Sequence, residues 1–212
     1  ITTVQGVIFD AIKKLDMNCE NFVGAGRTDA GVHAIGQVAH VDLATKRDCE
    51  TVQKAINYYL NKYPVSILNA KTVSNQFHAR FSAIKRHYVY KIFSRRTDLT
   101  FEKNQYWHVR HNLNKSNMQL AANYLTGKHN FSAFRSSICQ ASSPIKTIDT
   151  ISIQSEEIRD GVVYQLNFSA RSFLHHQVRS IVGCLEKVGC GKWGAKRYRK
   201  YYCLKIEVDV LH

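Results

Sequence analysis

The order of apolar patterns in the second half of the chain is the strongest constraint on its fold. The predicted elements are a strand near residues 106–109, a helix with Met118, Ala121, Ala122 and Leu125 inward and Gly127 at its end, strands at 147–153 and 162–170, a helix at 173–188, and a strand at 202–210. This βαββαβ order is that of a ferredoxin-like unit, whose sheet carries helices on one face and leaves the other face available.

The first half shows the same order without its opening strand. Its predicted elements are a helix with Val4, Val7, Ile8, Ile12 and Leu15 at helical spacing and a capping box at Thr2 and Gln5, a strand in which Ala39, Val41 and Leu43 alternate with His40 and Asp42, a helix with Val52, Ala55, Ile56, Tyr59 and Leu60 on its apolar face, and strands at 65–73 and 86–93. We therefore expect a further strand before Ile1 in the natural chain.

Together these patterns predict an α/β (α+β) fold made of two ferredoxin-like halves, residues 1–98 and 99–212. The two sheets are expected to join edge to edge into one extended, mainly antiparallel sheet with helices on one face. Pro64 and Pro144 are the chain's two prolines, so no proline-rich linker separates the halves.

The composition of the chain is that of a folded, non-membrane protein. Of its 212 residues, 44% are hydrophobic and 22% are charged, which excludes disordered and collagen-like classes. No apolar run approaches the roughly 18 to 20 residues that a membrane-spanning helix needs, and nothing at Ile1 resembles a signal peptide. These features predict a cytoplasmic protein.

The chain carries a large excess of positive charge. Thirty Lys and Arg against 16 Asp and Glu give a net charge of +14, which indicates a polyanionic partner. Basic clusters occur at residues 85–87, 95–96, 196–197 and 199–200, although any one of them could equally be a solvated face. An open sheet face on which aromatic side chains stack with bases would suit RNA.

The cysteines and histidines do not form a metal-binding pattern. The six cysteines are Cys19, Cys49, Cys139, Cys184, Cys190 and Cys203, and they contain no CxxC pair. The adjacent His175 and His176 would point about 100° apart on a helix, which makes a poor ligand pair. Reduced thiols are therefore predicted rather than a zinc site, and no phosphate loop or dinucleotide fingerprint is present.

Asp29 lies in a glycine-rich turn ahead of the strand at residue 39, in the stretch GAGRTDAGVHAIGQVAHVDL. Taken alone, an Asp in such a turn is usually structural, and Arg27 would be an ordinary surface cation. Glycines at 24, 26 and 31 would however allow a substrate to approach the backbone closely. A cation and a nucleophilic carboxylate two residues apart suit chemistry on a phosphate-bearing substrate.

Five segments of the chain resemble, in order, the sequence blocks of the TruA-type tRNA pseudouridine synthases, the anticodon-arm family. They are GAGRTDAGVHAIGQVAHVD from residue 24, FHARFSA at 77–83, the Arg-x-Tyr-x-Tyr of 86–90, NFSAFR at 130–135 and FLHHQVRSIVG at 173–183. The resemblance extends from about Val4 to about Gly191. It departs near residues 199–204, where family members carry a longer segment, so residues are expected to be missing there.

The resemblance implies catalytic roles for three residues. Asp29 matches the family's nucleophile, and Tyr88 matches the tyrosine that stacks on the target base. Arg179 matches the arginine that pairs with the catalytic carboxylate and keeps it ionised. Strand periodicity alone would make Tyr88 and Tyr90 core residues, and this assignment is kept for Tyr90.

Further positions match family residues that contact tRNA. Arg27 corresponds to the side chain that fills the space of the flipped nucleotide, and Phe77, His78, Arg80, Phe81 and Arg47 correspond to other tRNA contacts. Their local sequence alone would indicate an ordinary loop with two core phenylalanines. His33 is expected to support the turn rather than to transfer protons.

The resemblance implies an isomerase that converts uridine to pseudouridine at positions 38, 39 and 40 of tRNA. It implies a homodimer, no cofactor and no metal. Two alternatives remain open from the residues themselves. A non-catalytic RNA-binding protein would need only the charge and the open sheet, and a base-releasing glycosylase would share the carboxylate but liberate free uracil.

Overall fold

The structure, a computed structural model, describes residues 2–101 and 103–194 of the chain. It divides into two compact units, one ending at Ile84 and the other beginning at Lys85. In the described residues no helix is long and apolar enough to cross a membrane. The predicted strand at 202–210 and the expected discontinuity near residue 200 lie outside these residues.

The first unit contains two helices and a two-stranded antiparallel sheet. Its elements are α1 (Val4–Leu15), β1 (Glu20–Gly24), β2 (Ala39–Asp42) and α2 (Cys49–Leu60). Both helices turn their apolar faces inward, and the buried side chains are Val7, Ala11, Ile12, Cys19, Ile56 and Leu60. Phe22 of β1 and Val41 of β2 pack against this core. Hydrophobic burial of one face of each element therefore holds the unit together.

Side-chain caps begin both helices of the first unit. The Thr3 hydroxyl accepts a hydrogen bond of 3.0 Å from the Gly6 amide at the start of α1. The predicted capping box at Thr2 and Gln5 is therefore wrong by one residue. The Asp48 carboxylate accepts a hydrogen bond from the Thr51 amide at the start of α2, and hydrogen bonding to Thr51 lowers the pKa of Asp48.

In its described residues the second unit is built on a five-stranded sheet with two helices. Its elements are β3 (Arg86–Ser94), β4 (Trp107–Val109), α3 (Lys115–Asn123), β5 (Gly127–Asn130), a 3₁₀ turn (Ser132–Phe134), β6 (Ile145–Ile158), β7 (Gly161–Ala170) and α4 (Gln177–Gly189). The strand order is β4-β3-β7-β6-β5, and all neighbours are antiparallel except the parallel pair β3 and β4. The predicted mixed α/β fold is thus confirmed.

The core of the second unit lies between this sheet and its helices. Met118, Ala121 and Ala122 of α3 and Ile181 and Leu185 of α4 are completely buried. They pack with inward side chains of β3, β6 and β7, with Phe134 of the 3₁₀ turn and with Phe131 just before it. Each element buries one face against the same core. The apolar periodicity of the sequence therefore predicts the helices and strands of this unit.

Two strand assignments of the sequence analysis change, and two further strands are found. Residues 65–73 form no strand, because the amide side chains of Gln53 and Asn57 on α2 hydrogen-bond the main chain at Ile67 and Leu68 and take the place of a neighbouring strand. The strand at 86–93 pairs with β7 over its whole length instead of completing the first half. The short strands β1 and β5 were not predicted, and the division of the chain after residue 98 stays a prediction.

The last described helix begins later than predicted. It starts at Gln177 rather than near residue 173, because His176 adopts a left-handed backbone conformation with φ of +63° and interrupts the helical path. His175 therefore precedes the helix rather than lying on it. On the helix itself, Arg179 is exposed while Ile181 and Leu185 are buried.

Candidate active site

The loop that carries Asp29 is closed at its base by main-chain contacts. β1 ends at Gly24 and β2 begins at its partner Ala39. Beyond this pair, the Ala25 amide donates to the Val38 carbonyl at 2.8 Å. The Gln37 side chain then donates to the Gly26 carbonyl at 3.3 Å. Residues 27–36 are thus displayed beyond a two-stranded stem whose pairing determines where the loop begins and ends.

Asp29 begins a tight turn inside this loop. Its carbonyl accepts a hydrogen bond of 3.1 Å from the Val32 amide, and Gly31 has a φ of +80°, the value of the third position in a type II turn. The Asp29 side chain is half-buried, whereas Arg27 is exposed. The turn is closed through the main chain of Asp29, so its geometry requires a glycine at 31 but not a carboxylate at 29.

The predicted tRNA-contacting residues of segment 77–81 form one cluster on β2. The His78 ring lies 4.9 Å from the His40 ring and 4.3 Å from the Phe81 ring. The Phe77 ring meets His40 edge to face at 6.2 Å, and the Arg80 guanidinium lies 5.9 Å from the centre of the Phe81 ring. The structure therefore brings four of the predicted residues together around a histidine that the sequence analysis had placed only in a strand.

Hydrogen bonds hold this segment in its folded shape. His78 Nδ1 accepts from the amides of Arg80 and Phe81, at 3.2 and 3.3 Å, and His40 Nδ1 accepts from the Ala79 amide at 3.1 Å. Phe81 is nevertheless 73% exposed. An aromatic ring held in water beside a guanidinium is suited to stacking on a nucleic-acid base.

Arg47 has a different local environment from that cluster. Its guanidinium donates to the carbonyl of Leu15, the last residue of α1, at 3.4 Å. Basic side chains at this position stabilise the unpaired carbonyls of a helix end. The contact gives Arg47 a structural function, and its predicted contact with tRNA stays a prediction.

Tyr88 lies on β3, half-buried at the border of the second unit's core. It pairs with Phe168 of β7, and its ring meets the ring of Phe173 edge to face at 5.2 Å. Tyr90, two residues further along the same face, meets Trp107 in the same way at 6.3 Å. The assignment of Tyr90 to the core agrees with this packing, and Phe173 is a contact of Tyr88 that the sequence analysis did not single out.

The positive charge of Arg179 affects the pKa of Tyr90. Burial raises the pKa of Tyr90, and the positive charge of Arg179 opposes that increase. The Arg179 guanidinium on α4 therefore lies near enough to β3 for its charge to act on Tyr90. Two of the predicted functional positions, Tyr88 and Arg179, thus belong to the same unit.

The segment before α4 is closed by a buried glutamine. The side-chain oxygen Oε1 of Gln177 accepts from the main-chain amide of Leu174 at 2.7 Å. The main-chain amide of Gln177 donates to the Leu174 carbonyl at 3.1 Å. The Ser136 amide donates to the His175 carbonyl at 3.0 Å. These bonds hold the segment in the conformation in which Phe173 contacts Tyr88. In the sequence, the polar residues 175–177 are the one signal that the predicted helix is interrupted here.

A family model described as tRNA pseudouridine synthase matches residues 1–82 and 121–203 of the chain. This match includes both the Asp29 loop and the α4 segment. The chain belongs to the tRNA pseudouridine synthase family. The sequence-based family assignment is therefore confirmed, and with it the isomerase class.

Individual members of the family are similar over nearly the whole chain. The tRNA pseudouridine synthase A of Maricaulis maris is 48% identical over 93% of this chain and 78% of its own length. Those of Xanthobacter autotrophicus and Azorhizobium caulinodans are 48% and 47% identical, over 91% and 92% of this chain and 77% and 74% of their own lengths.

Proposed function

We propose that this protein isomerises uridine to pseudouridine in the anticodon stem-loop of tRNA, at positions 38, 39 and 40. The observation that carries the proposal is the 48% identity, over 93% of the chain, to a protein named tRNA pseudouridine synthase A. The net charge of +14 supports a polyanionic substrate. The choice of these three positions rests on the resemblance of the sequence blocks to the anticodon-arm family.

Asp29 is the proposed nucleophile. The reaction breaks the bond between uracil N1 and ribose C1′, turns the base and forms a bond from C5 to C1′, while C5 loses a proton and N1 gains one. Because no electrons are gained or lost overall, the reaction requires no redox cofactor. Attack by Asp29 on C1′, attack on C6 and a glycal route all remain compatible with a half-buried carboxylate at this position.

Tyr88 is the proposed stacking partner of the extruded base. Stacking on an aromatic ring contributes about 1 to 3 kcal/mol, which is comparable with the few kcal/mol needed to extrude a base. The half-buried position of Tyr88 against Phe173 supports this role, because its ring orientation is restricted before substrate binds. Arg27, exposed in the Asp29 loop, is proposed to fill the space that the base leaves.

The cluster of Phe77, His78, Arg80 and Phe81 is the proposed tRNA contact of the first unit, with Arg47 as a further contact. Its exposed ring and guanidinium support this role. Two further parts of the proposal, a homodimer that uses both subunits to hold one tRNA and a cytoplasmic location, rest on the resemblance to the family.

Release of tritium from tRNA labelled at uridine C5 tests the proposed reaction. Wild-type protein is expected to release tritium without free uracil or strand breaks, and Asp29→Asn is expected to release none above background. Asp10→Asn, an exposed carboxylate on α1, is the matched control and should retain wild-type activity. Free uracil would instead indicate a glycosylase, and tRNA binding without tritium release from wild-type protein would indicate an RNA-binding protein.

A double-mutant cycle tests the proposed ion pair of Arg179 with Asp29. If the two side chains form an ion pair, Asp29→Asn and Arg179→Gln together should lower the free energy of unfolding by less than the sum of the two single losses. Arg159→Gln, in the exposed turn between β6 and β7, is the control for removal of a guanidinium. Independent effects of the two substitutions would refute the pairing and leave the role of Asp29 to the tritium assay.

A further inference from the structure

Three metal-ligating side chains converge at the carboxyl end of α4. His111, Glu186 and Cys190 each offer one ligand atom, and these atoms lie within 4.8 Å of one another. Glu186 and Cys190 are four residues apart and therefore share one side of the helix end. His111 belongs to the segment between β4 and α3, 75 residues earlier in the chain than Glu186.

Glu186 is an unusual residue to find in this position. Its side chain is only 3% exposed, and its Oε1 lies 2.6 Å from His111 Nε2. Among the described residues Oε2 has no hydrogen-bond partner, although the Lys187 ammonium lies 3.3 Å away. Burying a carboxylate is unfavourable unless its charge is compensated. His111 and Lys187 supply part of that compensation, and a cation bound between Glu186, His111 and Cys190 would complete it.

We propose that His111, Glu186 and Cys190 bind a divalent transition-metal ion, with zinc as the best match. Imidazole, carboxylate and thiolate are the ligand types that zinc accepts in tetrahedral sites, and water would complete the set. The hydrogen bond between His111 and Glu186 marks the place of the ion. On binding, Cys190 Sγ loses a proton to solvent, and His111 binds as the neutral imidazole with Nε2 on the metal and its proton on Nδ1, so that the metal replaces the proton that joins histidine to carboxylate.

The surrounding structure holds the three ligands near one another without metal. The Ser94 hydroxyl donates to the His111 carbonyl at 2.7 Å, and the Asn114 amide donates to the Gly189 carbonyl at 2.9 Å. The Cys190 amide closes the helix end on the Glu186 carbonyl at 2.9 Å. Lys187, beside Oε2, is placed to pair with the oxygen that the metal leaves unbound, an outer-shell contact common at metal sites.

Gly189 brings the helix end close to α3. A Cβ built at Gly189 would lie 2.7 Å from Met118 Sδ and 3.1 Å from Leu113 Cδ2. The close packing that a glycine allows holds the end of α4 against the segment that carries His111. The metal would therefore connect α4 to the chain between β4 and α3 at a place where both are already fixed.

Cobalt(II) titration of the full-length, chelator-treated protein tests this site. One equivalent of Co²⁺ is expected to give the visible bands of a tetrahedral ion together with a thiolate-to-cobalt absorption. Cys190→Ser should lose the thiolate absorption, and Cys184→Ser, on the same helix but outside the cluster, should retain it. Absence of this absorption in wild-type protein, or its persistence in Cys190→Ser, would overturn the proposal.

Thermal unfolding gives a second measurement that does not depend on the cysteine variant. Zinc at about 100 times its Kd is expected to raise the Tm by about 5 to 10 °C, because it binds the folded state. His111→Gln, at a side chain 44% exposed, should fold and lose most of this increase. An equal increase in wild type and His111→Gln would show that zinc binds elsewhere.

Discussion

The rings of Tyr88 and Phe173 meet edge to face, with centroids 5.2 Å apart and planes at 87°. The contact connects β3 to the segment before α4 and restricts the orientation of Tyr88. Phe173→Leu keeps an apolar side chain but removes the ring that holds Tyr88. We expect this change to lower kcat about 2- to 13-fold with little change in KM, since such ring pairs contribute about 0.5 to 1.5 kcal/mol.

The control for Phe173 is a second ring pair on the same strand. Tyr106 meets Phe93 at 5.8 Å near the other end of β3. Tyr106→Leu should lower the Tm about as much as Phe173→Leu does and leave kcat unchanged. Equal losses of kcat in both variants would show that the Tyr88 contact serves only stability.

Gly31→Ala tests the turn that begins at Asp29. A methyl group at this position meets no atom within 4 Å, so its effect comes from the backbone φ of +80°. Left-handed conformation costs a non-glycine residue about 1 to 2 kcal/mol, which favours a rearranged turn. We expect kcat in the tritium-release assay to fall about 10-fold or more, because small displacements of a reacting group are costly.

Gly36→Ala is the matched control for Gly31→Ala. Gly36 lies in the same loop, also has open space where a Cβ would stand, and does not have a positive φ. The substitution should therefore leave kcat near the wild-type value. If both alanine variants lose activity equally, the conformation of the turn at Gly31 is not the cause.

The raised pKa of Tyr90 predicts a loss of stability at alkaline pH. Burial raises its pKa above the ordinary value of 10.0, so the folded state keeps the phenol proton to a higher pH than the unfolded state does. The stabilisation is complete below pH 10.0 and is lost as pH rises through the folded-state pKa. Tyr90→Phe should reduce the loss of unfolding free energy between about pH 8 and about pH 11, measured by urea denaturation.

Part of this alkaline loss will remain in Tyr90→Phe, because burial also raises the pKa of Tyr164. Tyr58→Phe, at a tyrosine that is 70% exposed, is the control and should follow the wild-type curve. Identical curves for wild type and Tyr90→Phe would contradict the assignment of the titration to Tyr90.

The charge of the chain predicts salt-dependent binding of tRNA. If five or six phosphates are neutralised, the logarithm of the association constant should fall with the logarithm of salt concentration at a slope of about −4 to −5. Filter binding or fluorescence anisotropy at several salt concentrations measures this slope. A slope near zero would contradict an interface based on the basic surface.

Periodicity made the long elements predictable. α1, α2, α3, β6 and β7 each bury one face against a core, so their apolar residues recur at the period of the element. Residues 65–73 were assigned wrongly because Val65 and Ile67 do pack inward, but Gln53 and Asn57 supply the hydrogen bonds that a strand would have made. The beginning of α4 was wrong because a single left-handed residue, His176, interrupts an otherwise helical pattern.

The candidate active-site residues were found through ordered sequence blocks rather than through local patterns. Asp29 in a glycine turn, Tyr88 on a strand and Arg179 on a helix are each ordinary when taken alone. Their match to the family blocks singled them out, and their catalytic roles stay predictions. Contacts such as Phe173 with Tyr88 and His40 with His78 were not predictable, because they depend on which elements become neighbours.

The sequence by itself determined the family, the mixed α/β class and the strongly basic character of this protein, because these depend on residue identity, order and short-range periodicity. The tertiary structure decided which distant side chains share an environment. Cysteine spacing argued against a zinc site, yet folding brings His111 within 2.6 Å of Glu186 and beside Cys190. Strand pairing and helix packing bring together residues far apart in the chain, and a linear pattern carries no measure of that distance.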